Sequence, residues 1–282
     1  MRISERRIDI RIHLLGPLRI FCADGELAPV ARRPRQILAL LLLNHSRVVP
    51  TAALIEELWD GPAPKTARAA VQIYVFELRK RFAEAAGLSM DAVGGEILRR
   101  VRNGYEFVAE PAWFDLQSFR RGEQSGMAAM AAGDLIKAAR DFRAALSLWS
   151  GPALAGVEPG PGIRAEVAGL EQSRATMLSH RIELELRFGR HREILGELAS
   201  LVSHDRFNEN LHAQFMIALY RSGYRARALD AFHRLRKDMV GRFGLEPSPG
   251  LHRYYQAVLT SDPELEEMPA RPLPGELPVL CP

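Results

Sequence analysis

The stretch from Lys65 to Phe82, Lys-Thr-Ala-Arg-Ala-Ala-Val-Gln-Ile-Tyr-Val-Phe-Glu-Leu-Arg-Lys-Arg-Phe, can bury its apolar residues in one regular way. Ala67, Val71, Tyr74, Val75, Leu78 and Phe82 recur at i, i+3 and i+4, which puts them on one side of a helix. Lys65, Arg68, Gln72, Phe76, Arg79 and Lys80 fall on or near the other side. One helix is expected here, with a core face and a polar, cationic face that the fold must leave open.

The flanking segments supply what covers the core face. Residues 8–21 alternate in part between apolar and polar, break at Gly16-Pro17 and meet a turn signal at Ala23-Asp24-Gly25, so short antiparallel strands are expected. Arg32-Arg33-Pro34-Arg35 leads into a Leu-rich helix over about 34–44, with Pro34 acceptable in its first turn. A second helix runs from Thr51 to Trp59 and stops at Asp60-Gly61-Pro62, with Leu54, Ile55, Leu58 and Trp59 inward. Lys65–Phe82 is the third. Two strand-like runs over 96–110 then flank Asn103-Gly104, a type I′ hairpin signal in which both central residues take positive φ.

From Asp115 onward the pattern is helical almost throughout. Gly133, Ala138 and Phe142 are matched at the same offsets by Gly223, Ala228 and Phe232, and more weakly by Gly189, Ile194 and Leu198. Gly189 to Gly223 equals the 34-residue tetratricopeptide period. Small residues at the Gly and Ala positions are expected to let helices approach closely, with the large apolar residue filling the groove between pairs. Irregular helical hairpins are expected because Gly151-Pro152 and Pro159-Gly160-Pro161 interrupt the array. Glu183 and Glu185, near Arg181 and Arg187, read as surface pairing. The last residues, with prolines at 263, 269, 272, 274, 278 and 282, lack a helical period and are expected to be disordered.

The fold class is therefore mainly α with a small β part, an N-terminal winged helix-turn-helix domain followed by an all-α tetratricopeptide-like repeat. The expected segments are 1–110, 111–260 and a Pro-rich tail at 261–282. Charge divides along the same line, since residues 1–110 hold 17 Lys and Arg against 13 Asp and Glu while residues 111–282 hold 21 of each. A cationic excess confined to one section suits a polyanion partner. No apolar run approaches the roughly 20 residues that span a bilayer, and the first residues do not build a signal-peptide core, so a cytoplasmic, nucleoid-associated protein without membrane contact is expected. Cys22 and Cys281 lie far apart without metal-ligand spacing, and no nucleophile, acid–base or phosphate-loop motif occurs. No enzyme activity, cofactor or metal is expected.

Three helices followed by a basic hairpin form the order of a winged helix, whose third helix enters the DNA major groove. Gln72 is the central base candidate, since a side-chain amide pairs with the N6 and N7 of adenine. Phe76 either meets a thymine methyl or packs against the wing. Arg68 and Arg79 reach a guanine edge or a phosphate, and Lys65, Lys80 and Arg81 are phosphate candidates, Arg81 drifting toward the core side. On the wing, Arg102 beside the tip is a phosphate or minor-groove candidate, and of Arg99 and Arg100 only one can face DNA because strand residues alternate. Tyr105 is read as packing. Arg32, Arg33 and Arg35 either clamp a phosphate or solubilise the start of the first helix.

The chain resembles the Streptomyces antibiotic regulatory protein family of transcription activators. The resemblance rests on His13-Leu-Leu-Gly-Pro-Leu, Arg32-Arg-Pro-Arg-Gln-Ile-Leu-Ala-Leu-Leu-Leu, Leu54-Ile-Glu-Glu-Leu-Trp, Ala70-Val-Gln-Ile-Tyr-Val-Phe-Glu-Leu-Arg-Lys and Gly104-Tyr in the first section. In the second it rests on Phe114-Asp-Leu, Ala144-Ala-Leu-Ser-Leu-Trp-Ser-Gly, Ala228-Leu-Asp-Ala-Phe and Phe243-Gly-Leu-Glu-Pro-Ser-Pro-Gly-Leu. It implies a winged helix joined to a bacterial transcriptional activation domain, as in the small members that lack an appended ATPase. It further implies double-stranded DNA with tandem direct repeats near promoters of antibiotic biosynthesis genes, self-association on that DNA, and RNA polymerase as a partner, with Asp60, Gly61 and Pro62 as the polymerase-contact loop. The competing reading is a tetratricopeptide-type protein-interaction scaffold without specific DNA binding.

Overall fold

The structure is a computed structural model that describes residues 9–22, 25–27, 31–59, 61–263 and 265. Two compact units are present, one formed by the described part of Met1–Ser125 with Ala144–Ala175, the other by Gly126–Arg143 with the described part of Thr176–Pro282. These units cut the chain differently from a division at residue 110, and the expected tail after 265 lies outside the described residues.

In the first unit, β1 (Arg11–His13), β2 (Arg19–Cys22) and β3 (Gly25–Glu26) form an antiparallel meander, with Ile12 facing Ile20 across β1 and β2. Then comes α1 (Arg32–Leu43), in which every residue from Gln36 to Leu43 is buried. A helix buried all round serves as the centre of its unit, not as a surface layer. β4 (Val49–Pro50) leads into α2 (Thr51–Leu58), and α3 spans Ala67–Ala86. Lys65 and Thr66 form a turn before α3, and Gly87, left-handed at φ 61°, ends it. α3 buries Ala67, Val71, Val75, Leu78 and Phe82 of the expected core face, while Tyr74 is only half-buried, and the Phe82 ring lies 5.8 Å from Phe107.

The hairpin does not follow α3 directly. A short α4 (Met90–Glu96) intervenes, capped by the Ser89 hydroxyl accepting from Ala92 N–H at 3.2 Å. β5 (Leu98–Val101) and β6 (Gly104–Phe107) then pair antiparallel, and β6 also pairs with β4, giving the order β4-β6-β5. The register places Val101 opposite Gly104, so the two loop residues are Arg102 and Asn103 and none of Arg102, Asn103 or Gly104 has positive φ. The type I′ expectation is thereby corrected. Gly104 is required for another reason: a Cβ there would overlap the Val49 carbonyl, so the glycine lets β4 lie against the wing.

β7 (Trp113–Phe114) pairs parallel with β1, at the edge of the order β3-β2-β1-β7. It delivers Asp115, the first residue of α5 (Asp115–Ala131), to the end of β1. The buried Asp115 carboxylate accepts from Leu14 N–H at 2.8 Å, Leu15 N–H at 2.9 Å and Leu116 N–H at 2.6 Å. α6 (Leu135–Leu146) follows, then α7 (Pro161–Arg187), whose first turn is held by the buried Glu57 of α2. Glu57 accepts from Gly160 N–H at 2.5 Å, Gly162 N–H at 2.8 Å and Ile163 N–H at 3.1 Å, satisfying three donors at a helix start.

In the second unit, α8 (Leu195–His204), α9 (Glu209–Arg221), α10 (Arg225–Phe243) and α11 (Pro249–Thr260) pack with the end of α7 around Ile182, Leu186, Met216, Phe232 and Leu251. Ala138, Phe142, Ala228, Phe232, Ile194 and Leu198 are all buried. The repeated glycines act differently from expectation. Gly133, Gly189 and Gly223 have φ of 77°, 72° and 87° and no atom within 4 Å of an added Cβ, so they end helices and do not admit neighbours. The close approach occurs at Gly126, where a Cβ would overlap the Phe142 ring. The surface-pairing expectation also fails: Arg181, Glu183 and Glu185 are buried. Glu185 is bound by Arg143 and Arg190, Glu183 by Arg187 at 3.1 Å, and Arg181 by Glu197 at 2.5 Å. The end of α7 is enclosed by its unit, and its buried charges are neutralised by Arg187 on the same helix, by Arg190 just beyond it, and by Arg143 and Glu197 brought in from other elements.

Candidate nucleic-acid interface

Two elements of the first unit present unpaired cations to one another. On α3, Arg68 and Gln72 are exposed one turn apart; on β5 and the wing tip, Arg100 and Arg102 are exposed. These four side chains, with Thr51, Tyr105 and the wing tip, line a cleft of about 120 Å³. Arg68, Gln72, Arg100 and Arg102 have no hydrogen-bond or ion-pair partner among the described residues, and no carboxylate lines the cleft. Three guanidiniums held together without an anion produce a local positive potential and offer paired N–H donors suited to phosphate or a guanine edge.

Strand alternation separates the two neighbouring wing arginines. Arg100 stands opposite Tyr105 and faces the cleft, while Arg99 stands opposite Glu106 and donates from Nη2 to its Oε2 at 2.7 Å. Tyr105 is buried, the packing role read from sequence, and it also forms part of the cleft wall.

Five other expected contact residues are engaged by partners within the protein. Arg79 donates from Nε and Nη2 to the Leu98 carbonyl at 3.0 and 2.8 Å, and burial lowers its pKa from the usual guanidinium value. It staples α3 to β5, and the edge it would offer to guanine is occupied. Arg81 lies half a helical turn round from Gln72 and pairs with Glu77 at 3.5 Å on the far flank. At the start of α1, Arg32 pairs with Glu158, Arg33 stacks its guanidinium 4.6 Å from the Trp59 ring, and Arg35 donates to the Gly156 carbonyl at 3.4 Å. With Gln36 donating to the Glu158 carbonyl at 2.8 Å, they dock α1 on the 156–158 segment in place of clamping phosphate. Lys65 and Lys80 are exposed, Lys80 only 3.9 Å from Glu84. Of the loop between α2 and α3, Asp60 lies outside the described residues, while Gly61 (φ 129°) and Pro62 are exposed.

Gln72 sits on the wing-side flank of the exposed face, and its centre is formed by Ala69, Ile73 and Phe76, with Ile73 63% and Phe76 61% exposed. Phe76 does not pack on the wing. Ile73 is not among the contacts expected from the sequence, although its three-residue spacing from Phe76 is a signal that marks it. The sequence marks Glu57 only as part of α2, because its burial depends on partners a hundred residues away. Among the described residues no cluster of His, Cys, Asp and Glu could hold a metal ion, and no helix is long and apolar enough to cross a membrane.

Comparison with known proteins agrees with this arrangement. The bacterial transcriptional activator domain family matches residues 114–259, and the family described as transcriptional regulatory protein, C terminal, matches residues 25–95. The chain is similar to the regulatory protein DnrI of Streptomyces peucetius, 40% identical over 265 residues that cover 93% of this chain and 97% of the relative. It is 35% identical over 262 residues to the regulatory protein AfsR of Streptomyces coelicolor, covering 93% of this chain and 25% of AfsR. The solved structure of Mycobacterium tuberculosis EmbR in complex with a low affinity phosphopeptide superposes with a TM-score of 0.80 at 28% identity, covering 94% of this chain and 69% of that one. A winged helix that carries unpaired arginines, a helical activator domain and a relative matched over nearly its whole length place the chain in one family: it belongs to the Streptomyces antibiotic regulatory proteins, which are transcription activators.

Proposed function

We propose that the protein binds double-stranded DNA sequence-specifically through α3 and the wing, at tandem direct repeats near promoters of secondary-metabolite genes, and recruits RNA polymerase from there. The observation that carries the reading is the cleft in which Arg68, Gln72, Arg100 and Arg102 stand together without internal partners. The arginines neutralise phosphates on either side of the groove, and Gln72 donates to N7 and accepts from N6 of an adenine. Protomers on repeats about 10–10.5 bp apart share one face of the duplex, which is the basis for self-association on DNA and for a nucleoid location. The exposed Gly61–Pro62 loop is the proposed polymerase contact.

Footprinting on the promoters beside this protein's own gene tests the reading. Protection of two or more repeats in register is expected, with Gln72→Ala reducing discrimination at one adenine by about 1–3 kcal/mol. Uniform protection of any DNA would remove the specific reading.

One observation favours the scaffold alternative. A groove of about 280 Å³ in the second unit is lined by Arg206, His212, Phe215, Arg227 and Arg234. If the scaffold reading holds, alanine at Arg227 and Arg234 abolishes transcription activation while Gln72→Ala leaves it intact.

A further inference from the structure

Ala69, Ile73 and Phe76 recur at i, i+4 and i+7 on the side of α3 away from its core, and all three face solvent. The helix therefore carries two apolar rows. The inner one, Val71, Val75 and Leu78, is explained by the core; the outer one is not. Ile and Phe are poorer helix formers than Lys, Gln or Glu, so stability of α3 does not select them at 63% and 61% exposure. Phe76 has no ring partner among the described residues. A lone exposed apolar residue is ordinary, but here a row occupies the centre of a face edged by Arg68, Gln72 and Lys80.

We propose that Ile73 and Phe76 read the 5-methyl groups of two thymines on neighbouring base pairs in the major groove. This deepens the DNA-binding reading and rests on it. In the major groove thymine alone presents a methyl, whereas cytosine places an amino donor in the nearby position, which an aliphatic or aromatic side chain would leave desolvated and unpaired. Side chains three apart on a helix have Cβ atoms about 5–6 Å apart, and base pairs rise about 3.4 Å, so the two residues reach adjacent steps. The cationic surroundings select the occupant: Arg68, Arg100 and Arg102 favour a polyanion carrying apolar groups over a neutral apolar protein surface. Gln72 on the flank then specifies an adenine beside the thymine pair.

The test uses the full chain and a duplex selected by it from random DNA. Deoxyuridine, which differs from thymidine only by the missing methyl, replaces each thymine in turn, and affinity is followed by fluorescence anisotropy. Two adjacent positions per half-site are expected to lose about fourfold each, the worth of one buried methyl. Ile73→Ser and Phe76→Ser are expected to bind the thymine duplex more weakly and to become indifferent to deoxyuridine at one position each. Both sites are exposed, so unchanged thermal unfolding of the variants verifies folding. Selective binding that tolerates deoxyuridine everywhere within twofold overturns the proposal while leaving the DNA reading intact. Serine variants that keep full deoxyuridine sensitivity but lose activation overturn it in favour of a protein partner. Failure to select any duplex overturns the DNA reading itself.

Discussion

Glu57 shows how much one side chain can hold. Its carboxylate lies in the interior and takes three backbone N–H groups at the start of α7, and Gly160 and Gly162 leave the space it needs. Removing it strands the buried Gly160 and Ile163 donors and the half-buried Gly162 donor, so Glu57→Ala is expected to lower unfolding free energy by about 3 kcal/mol in denaturant titration. The exposed neighbour Glu56→Ala is expected to change it by less than about 0.5 kcal/mol. No periodicity distinguishes these adjacent glutamates, because the partners of Glu57 lie 103 to 106 residues away. Arg79 was hidden for the same reason. It sits only about 20° from Gln72 around a 3.6-residue helix, and the Leu98 carbonyl alone decides that it faces inward.

At the scale of elements, the legible parts were those with a local period. The core row of α3, the Leu-rich α1 and the basic hairpin follow from spacing within a few turns. α4 and β7 were not legible, since α4 is short and contains Gly94-Gly95, and β7 is two residues long and defined by pairing with β1. The wing shows a correct element with the wrong local reason: Gly104 is present for the close approach of Val49, not for a positive φ. The repeat inverts this, since its glycines are present for φ and not for approach. Gly223→Ala is therefore expected to cost about 1 kcal/mol through backbone strain, without any steric overlap, and to leave the α9–α10 packing unchanged. A thermal melt together with unaltered near-ultraviolet dichroism checks both parts.

For the molecule as a whole, charge and pattern suggest a division at residue 110, whereas the first compact unit joins the described part of 1–125 with 144–175. A fragment ending there loses the Asp115 carboxylate from Leu14 and Leu15, the β7 strand from β1, and the α7 amides from Glu57. Binding tests therefore need the full chain. Stability should also depend on pH. Burial holds the imidazoles of His180 and His212 below the ordinary value of 6.5 and so favours their neutral forms in the folded state. The unfolded chain binds more protons as pH falls through 6.5, so their contribution is fully present above that value and is lost below it. Acidification from about pH 7.5 to about pH 6 is expected to lower the melting midpoint, and His212→Gln should reduce that slope.

The proposed DNA-binding function rests on the cleft between α3 and the wing. It is tested by measuring the affinity of the full chain for a footprinted promoter duplex between about 50 and 200 mM salt. Arg68→Ala, Arg100→Ala and Arg102→Ala are each expected to lower affinity and to reduce the slope of log affinity against log salt by about 1, while Arg33→Ala, stacked on Trp59, leaves the slope unchanged. Equal slopes for the wild type and all three cleft variants, or a change confined to Arg33→Ala, would contradict the assignment of α3 and the wing as the DNA-binding surface.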